Sequence, residues 1–332
     1  HVKTRMTQHL SNAEKQVFRN AHFIYSKMFN QSVTFDYESK LIQYIAADQV
    51  FEVTNKNNGI ADKDYFEKQI YDKQFVELWN TLHAKKLVKK SLEEIENTDL
   101  FKYSPYKELN DEQRNAVETI LSEMEVGNTK RMIVKGMPGS GKTIVAVYLM
   151  KYFADSEVYK DKKIGFVVPQ TSLRKTMRTV FKSIYGLSSK QVLGPSDVVK
   201  SKYDVLVVDE AHRLHQYKNI ANMGSFKKNC EKLGMDTKCD ELDWIYHQSD
   251  TTIVFYDALQ VVGPSGIDYQ RFCKKQNDLN ARYTCYFELL TQMRVNGGNG
   301  YIAFVKDMLH TCCKEKYHSD AYTLELVTSF SK

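Results

Sequence analysis

One short stretch constrains the fold of this chain more than any other. Residues 136–143 read Gly-Met-Pro-Gly-Ser-Gly-Lys-Thr and fit the phosphate-binding pattern G-x-x-x-x-G-K-[ST] at every fixed position. An apolar run, 132–134, precedes this stretch, and an amphipathic run, 144–149, follows it. The pattern therefore predicts a strand, a phosphate-binding loop and a helix in that order, which is the beginning of an α/β fold.

The residue types in this loop suit a nucleoside triphosphate. Glycines allow successive backbone N–H groups to surround a phosphate, and the following helix adds the positive end of its dipole. Lys142 would reach the β- and γ-phosphates, and the Thr143 hydroxyl would hold Mg²⁺. The alternative, a glycine-rich turn with an exposed lysine, does not explain the flanking runs. We expect ATP to contact Gly136, Pro138, Gly139, Ser140, Gly141, Lys142 and Thr143.

Three more apolar runs each end in polar residues. The run 164–168 is followed by Pro-Gln-Thr-Ser, 205–208 by Asp-Glu-Ala-His, and 253–256 by Asp257 and then Gln260. Nearly continuous Val, Ile and Phe runs that alternate with helical segments indicate buried parallel strands with helices on both faces. Ligands bind beyond the carboxyl ends of such strands. These polar residues should therefore lie on the same side of the sheet as the phosphate-binding loop.

The acidic pair after the 205–208 run indicates hydrolysis. Asp209 can take Mg²⁺ through water, and Glu210 is placed to activate the water that attacks the γ-phosphate. The alternative is that two acids simply terminate a strand. Binding alone would need only the aspartate, so the adjacent glutamate favours an ATPase.

Composition sets broad limits. The chain has 332 residues, 42% of them hydrophobic and 27% charged, which is typical of a globular protein with two domains. No apolar run approaches the roughly 18 residues of a membrane span, so we expect no membrane partner. The net charge of +6 only weakly favours a polyanionic partner. The 6 cysteines lack zinc-ligand spacing, which predicts reduced thiols and a cytoplasmic location. Because the chain starts at His1, we expect its true beginning to lie further upstream.

Residues 1–100 have a helical pattern. We predict helices from a cap at Ser11 or Asn12 to Met28, from Phe35 to Ala47, and from Lys63 to Leu87. Glu38 is aligned with the apolar stripe of the second helix. A buried carboxylate there would need a partner or a metal ion, whereas a carboxylate in the first helical turn would be stabilised by the helix dipole. Both interpretations stay open.

A boundary is predicted next. Residues 101–107 contain Pro105 and read as a linker, so the ATP-binding domain would occupy 108–332. Asn110 and Gln113 match a capping box at the start of a helix.

The N-terminal part resembles the second half of a GIY-YIG endonuclease domain. The resemblance rests on the segments 5–9 (Arg-Met-Thr-Gln-His), 38–42 (Glu-Ser-Lys-Leu-Ile) and 55–57 (Asn-Lys-Asn). It implies that Arg5 orients the scissile phosphate or the attacking water, that His9 assists, and that Glu38 holds Mg²⁺. Asn55 and Asn57 both remain candidates for the family asparagine. The two strands that name the family, with their catalytic tyrosine, are absent from the sequence. The alternative is a helical accessory domain.

The remainder resembles superfamily 1 helicases, and in particular the Schlafen-type group, whose bacterial members sometimes carry a GIY-YIG nuclease in front. The motifs that carry the resemblance are 109–113, 136–143, 169–171, 209–212, 256–260 and 290–297. They imply a RecA-like fold. They also imply that Gln113 grips the adenine edge, although Gln113 could instead only complete the helix cap.

The resemblance assigns further roles. Gln260 would sense the γ-phosphate, and Arg294 would stabilise charge in the transition state, although an arginine before Asn-Gly-Gly is often a surface residue at a turn. Asp257 would couple the two sites, Thr171 would touch the nucleic-acid backbone, and His212 would link hydrolysis to strand binding. Too few residues follow Arg294 for a second RecA-like core, so we expect a fragment of a larger motor.

Residues 215–249 mix lysines with aromatic residues. They could contact single-stranded nucleic acid or form a helical excursion with a solvated basic face.

Together these features predict an ATP- and Mg²⁺-dependent helicase or translocase coupled to a nuclease, in defence or repair. Its predicted partner is single-stranded or duplex DNA, with RNA as the alternative. The alternatives are an ATP-driven switch that controls a partner without unwinding, and a small-molecule kinase.

Overall fold

The computed structural model describes residues 18–54, 65–106, 109–127, 130–261, 263–278, 284–291 and 298–311, together with Thr7 and Ser11. Among these residues a sheet of 6 strands has the order β3-β2-β4-β5-β1-β6, and all its pairings are parallel. The strands are β1 Arg131–Gly136, β2 Ile164–Val167, β3 Val192–Leu193, β4 Tyr203–Val208, β5 Ser249–Tyr256 and β6 Thr284–Leu289.

The sheet has helices on both faces, which confirms the predicted α/β, RecA-like fold class. Alternate residues of a strand point to opposite faces. Met132 and Val134 of β1 therefore pack in one apolar cluster, whereas Ile133 packs in another. The first cluster is covered by α5 (Asp111–Val126), α6 (Lys142–Asp155) and α7 (Thr171–Lys182), and the second by α10 (Glu241–His247) and α11 (Tyr269–Asp278). The remaining helices of this region are α8 Pro195–Val198, α9 Met223–Lys232 and α12 Gly298–Thr311.

A small helical bundle precedes the sheet. It consists of α1 Gln31–Asp48, α2 Lys68–Ala84, α3 Leu92–Glu96 and α4 Asp99–Lys102. The bundle has its own apolar cluster, which includes Tyr37, Phe75, Trp79 and Ile95. It also packs on the sheet region, because Ile42 belongs to the main cluster there and Gln49 Nε2 donates to Ser183 Oγ at 2.8 Å.

The helix predicted to reach Met28 is wrong over residues 18–28, which form no helix. Phe23 and Met28, which were expected among its apolar residues, are 61% and 55% exposed. An amphipathic pattern stabilises a helix mainly through packing of its apolar face, and here the face has no partner among the described residues. The next helix begins at Gln31, four residues before the predicted Phe35, because the Asn30 side chain accepts the Val33 N–H and caps it there.

The third predicted helix is shorter than expected. It covers Lys68–Ala84 rather than 63–87, and its buried stripe consists of Tyr71, Phe75 and Trp79. Phe66 is 84% exposed and lies outside the helix.

The described part of the predicted linker is packed. Ser104, Pro105 and Tyr106 are buried, and Tyr106 joins the main apolar cluster. The division into domains at 100 and 108 stays a prediction.

The segment 215–249, which could contact nucleic acid or form a helical excursion, has the structure of the excursion. Phe226 and Trp244 are buried in a local cluster with their ring centroids 4.4 Å apart, whereas Lys227, Lys228, Lys232 and Lys238 are exposed. This segment is a helical excursion with a solvated basic face, so its buried aromatic rings do not form a stacking surface.

None of the described helices combines the length and the apolarity that crossing a bilayer requires.

Candidate nucleotide-binding site

The phosphate-binding loop connects β1 to α6 with the predicted backbone shape. Gly139 and Gly141 have φ values of 82° and 81°, a region that side chains with a Cβ rarely adopt. At Gly141 a Cβ would also lie 2.3 Å from Gln113 Nε2, and at Gly136 it would lie 2.5 Å from Ser140 Oγ. Side chains of Gln113 and Ser140 therefore fill the space in which a Cβ would lie, and the loop needs glycine at these positions.

Lys142 is held inside the loop. Its Nζ donates to the carbonyl oxygens of Gly136 and Met137 at 2.9 and 3.0 Å, and it forms an ion pair of 2.9 Å with Asp257 Oδ2. The lysine and aspartate side chains are 5% and 1% exposed. Because the ammonium group carries three donors, all of them are engaged by the protein. A phosphate that binds Lys142 must replace at least one of these partners.

Asp257 is the centre of this arrangement. Its Oδ2 also accepts from Gln260 Nε2 at 2.9 Å, and its Oδ1 accepts from the Leu259 N–H at 3.0 Å. The strand end of β5 thus brings together Lys142, Asp257 and Gln260, three residues that the sequence predicted for the site. The direct pairing of Asp257 with Lys142 was not predicted, and no sequence signal links two residues 115 positions apart.

The predicted Mg²⁺ ligands lie next to each other. Thr143 Oγ1 donates to Asp209 Oδ2 at 2.7 Å, and Asp209 is fully buried at the end of β4. Burial, helped by the neighbouring charge of Glu210, raises the pKa of Asp209 to about 6. A buried carboxylate with a raised pKa gains from a cation beside it.

These oxygen donors fit Mg²⁺, which prefers oxygen ligands and is usually held by one or two carboxylates together with substrate phosphates. Among the described residues no cluster of three or more His, Cys, Asp or Glu side chains could hold a metal ion by itself. The buried Ser140 Oγ also has no hydrogen-bond partner in the described part of the chain. This unpaired hydroxyl inside the loop matches a site that is completed by a phosphate group.

Glu210 adopts an unusual backbone conformation, with φ 54° and ψ 39°. For a residue other than glycine this left-handed region costs on the order of 1–3 kcal/mol, and such strain is concentrated at functional sites. Its Oε2 accepts from Arg213 Nε at 3.0 Å and lies 3.2 Å from His212 Nε2. Burial raises the pKa of Glu210, but the contacts with His212 and Arg213 outweigh burial and hold the pKa at about 2.

Gln113 is buried and has two structural roles. Its Oε1 accepts the Asn110 N–H at 3.1 Å, while the Asn110 side chain accepts the Gln113 N–H at 2.8 Å, which confirms the capping box. Its Nε2 donates to the Ser140 carbonyl at 2.9 Å and so ties the helix start to the phosphate-binding loop. Both ends of the amide thus have protein partners, and adenine recognition by Gln113 stays a proposal.

A second cavity of about 350 Å³ opens beyond β2 and β4. Thr171 and His212 line it, together with Arg213 and His215. Thr171 and His212 are two of the three residues predicted to couple hydrolysis to nucleic acid; the third, Asp257, contacts Lys142 instead. His212 is fully buried; its Nε2 lies 3.2 Å from Glu210 Oε2, and its Nδ1 has no hydrogen-bond partner among the described residues. Thr171 opens α7, whose first residues have no side-chain cap. The cavity therefore combines an uncapped helix N-terminus with the Arg213 guanidinium, which is a suitable environment for an anion.

The other predicted site residues fall into two groups. Arg294, Arg5, His9, Asn55 and Asn57 lie outside the described residues. Glu38 lies on α1 and is half-buried. The carboxylates buried in that bundle are instead Asp36, which pairs with Lys40 at 2.8 Å, and Asp48, which accepts the backbone N–H groups of Lys89 and Lys90.

Comparison with known proteins places this site in a family. The family model for the Schlafen group 3 DNA/RNA helicase domain matches residues 129–332. The chain belongs to this family. Residues 129–332 contain the phosphate-binding loop and the residues Asp209, Glu210, Asp257 and Gln260. They also include Arg294.

Three solved structures match part of this chain. One describes DNA unwinding at forked double-stranded DNA by two coordinating Pif1 helicases; it shares 14% sequence identity, covers 61% of this chain and 48% of its own, and has a TM-score of 0.32. A DNA replication initiation factor shares 13% identity, with 63% and 55% coverage and a TM-score of 0.30. Unliganded Pif1 from Bacteroides sp. shares 13% identity, with 61% and 46% coverage and a TM-score of 0.30.

This chain therefore spans about half the length of these structures. A search of curated proteins found no match.

Proposed function

We propose that this chain is the ATP-hydrolysing core of a helicase or translocase that moves on single-stranded nucleic acid. Membership of the Schlafen group 3 helicase domain family supports a helicase-type ATPase in general. The observation that most favours hydrolysis over binding alone is the strained Glu210 beside Asp209, next to the Thr143 hydroxyl.

The residues have separate tasks in this proposal. Lys142, the loop N–H groups and the N-terminus of α6 bind the phosphates, and Thr143 and Asp209 would hold Mg²⁺, which neutralises charge that develops on the phosphates. Glu210 orients the attacking water and accepts its proton. Gln260 and Lys142 both donate to Asp257, so Gln260 is placed to sense the γ-phosphate. Arg294 supplies positive charge, and Gln113 reads the adenine edge.

The nucleic-acid side of the proposal rests on the cavity that contains Thr171 and His212. A phosphate group of the backbone at the N-terminus of α7 would face Arg213 and His212, which also contact Glu210. Binding at this cavity and the position of the catalytic glutamate are then physically linked. We propose that this nucleic acid is DNA, with RNA as the alternative.

The test is ATP hydrolysis with and without single-stranded oligonucleotides. We expect a several-fold increase with nucleic acid and loss of turnover in Glu210→Gln, while ATP binding remains, because the amide cannot accept a proton. Binding should weaken with salt as phosphate contacts release counterions. If every DNA and RNA tested leaves the rate unchanged while Glu210→Gln still abolishes it, the chain is an ATP-driven switch instead. Phosphoryl transfer to a small molecule would identify a kinase.

We also keep the proposal that residues 1–100 belong to a GIY-YIG-like nuclease module, which would couple cutting to the motor in defence or repair. It rests on the motif of Arg5, His9 and Glu38. Glu38→Ala in the longest natural form of the protein should abolish metal-dependent cleavage and leave ATP hydrolysis intact. The matched change Glu52→Ala, at an exposed glutamate of the same region, should leave both activities unchanged. Cleavage that survives Glu38→Ala would remove the assignment.

A further inference from the structure

The carboxylate of Glu112 holds the end of β6. Its Oε2 accepts the N–H groups of Leu290 and Thr291 at 2.9 and 3.0 Å, and its Oε1 accepts the Thr291 hydroxyl at 2.8 Å. Glu112 thus engages both of its oxygens with one short segment that lies 178–179 positions away in the sequence. A single side chain that makes three directed hydrogen bonds to two consecutive residues fixes both the position and the orientation of that segment.

The same segment is tied to the phosphate-binding loop. Leu289 is paired with Gly136 in the sheet, and its carbonyl accepts the Met137 N–H at 3.3 Å. On the other side, Gln113, the neighbour of Glu112, donates to the Ser140 carbonyl of the loop at 2.9 Å. The start of α5 therefore contacts the loop through one residue and the end of β6 through the next.

The carboxylate of Glu112 is suited to hold residues 290 and 291 at neutral pH. The hydrogen bonds from the Thr291 backbone lower the pKa of Glu112 further than its slight burial raises it, so the carboxylate is ionised at neutral pH. An acidic residue in the first turn of a helix is already stabilised by the helix dipole without any further contact. That dipole effect explains why a glutamate is tolerated at this position, but it does not explain the contacts with Leu290 and Thr291.

β6 is an edge strand that pairs with β1, the strand that leads into the phosphate-binding loop. We propose that Glu112 is a positioning residue for ATP hydrolysis: it fixes the end of β6 against the phosphate-binding loop and so holds the loop in the geometry that turnover needs. This inference rests on the proposed ATPase. Glu112 does not contact the nucleotide in this proposal, so its loss should affect turnover more than binding.

The experiment measures kcat and KM for ATP in the full chain. Glu112→Ala should lower kcat about tenfold and change KM by less than about twofold, the signature of an interaction needed only in the transition state. The matched control is Glu118→Ala, which removes the same groups from an exposed residue of the same helix and should change neither. Thr291→Val, which lacks the hydroxyl, should reproduce part of the loss, and Thr291→Ser, which keeps it, should restore the wild-type rate.

A double-mutant cycle separates positioning from a general loss of structure. In a Thr291→Val background Glu112→Ala should lower kcat less than it does in the wild type, because the two changes remove part of the same contact. An equal loss in both backgrounds, or an unchanged kcat in Glu112→Ala, overturns the proposal.

Amide hydrogen exchange at Leu290 and Thr291 gives a second measurement that needs no turnover. Exchange should accelerate in Glu112→Ala and not in Glu118→Ala. A chain without any ATPase activity would refute the proposed function. Unchanged exchange in Glu112→Ala would in addition refute the role of Glu112 in holding Leu290 and Thr291.

Discussion

Asp257→Asn tests how the phosphate-binding lysine is controlled. In the structure Lys142 and Asp257 form a buried ion pair of 2.9 Å inside the nucleotide site. In the proposed function ATP needs the same lysine for its phosphates, so the aspartate and the γ-phosphate would compete for one ammonium group. The substitution keeps the size and shape of the side chain and removes its charge.

The expected loss of stability follows from burial. Removing one partner of a buried ion pair usually costs about 3–5 kcal/mol, because the remaining charge stays buried and unpaired. Lys142 keeps its two carbonyl acceptors, at 2.9 and 3.0 Å, and the asparagine oxygen can still accept the Leu259 N–H. We therefore expect the lower end of the range, about 3 kcal/mol, in the free energy of unfolding without nucleotide.

A bound nucleotide should return part of this loss. The γ-phosphate supplies Lys142 with a new anionic partner in the variant, whereas in the wild type the aspartate must first be displaced. A non-hydrolysable ATP analogue with Mg²⁺ should therefore stabilise Asp257→Asn by about 1–2 kcal/mol more than the wild type, which corresponds to roughly tenfold tighter binding. Turnover should nevertheless fall, because Gln260 loses the carboxylate that orients it.

Urea unfolding with and without the analogue measures both quantities. The matched control is Asp155→Asn, which breaks the pair of Lys151 and Asp155 at 2.7 Å on the same helix, where the side chains are 6% and 17% exposed. It should reduce stability to a similar or smaller extent and leave the effect of the analogue unchanged. Competition for Lys142 is refuted if the analogue stabilises Asp257→Asn no more than it stabilises the wild type.

Three further predictions concern Glu241, Gly141 and Arg213. Burial raises the pKa of Glu241 to about 8, so the folded state keeps a proton that the unfolded state releases. The free energy of unfolding should therefore fall as pH rises from about 4.5 to 8. In urea unfolding, Glu241→Gln should remove this slope and raise the free energy of unfolding at pH 8 by on the order of 2 kcal/mol. The opposite slope, or an unchanged slope in the variant, would contradict it. Gly141→Ala should weaken ATP binding at least about tenfold in a titration, because a Cβ there meets Gln113 and φ is 81°; Gly127→Ala, which also has a positive φ but an open surrounding, should cost only stability. Arg213→Ala should raise ATP hydrolysis without nucleic acid and reduce the stimulation by nucleic acid, and an unchanged ratio of the two rates would count against coupling through this residue.

The sheet could be predicted from the sequence because its strands are buried on both faces. Runs such as 164–168 and 205–208 are nearly continuous Val, Ile, Leu and Phe, and only a buried parallel strand explains them in an α/β chain. The phosphate-binding loop and the Asn110 capping box could be predicted for a different reason, since each is a local pattern in which glycine or cap chemistry is required by the backbone itself. The structure confirms both.

The contacts that complete the site could not be predicted. Lys142 with Asp257, and Glu112 with Thr291, are pairs joined by the strand order of the sheet, and each partner alone has an ordinary sequence environment. The helix expected up to Met28 failed because its amphipathic pattern was taken as sufficient. Such a pattern does not show whether a partner surface exists, and Phe23 and Met28 are mostly exposed.

Glu210 connects these contacts to the proposed coupling. A carboxylate that accepts a proton from water must be free to reach that water, yet its Oε2 is paired with Arg213 and lies 3.2 Å from His212. Both of these partners also line the cavity in which we place a phosphate group of the nucleic acid. A phosphate there would draw the positive charge of Arg213 away from Glu210, and the strained backbone of Glu210 would lose a contact that holds it. In the proposed function, nucleic acid would therefore stimulate hydrolysis by releasing Glu210 from side chains that also line this cavity.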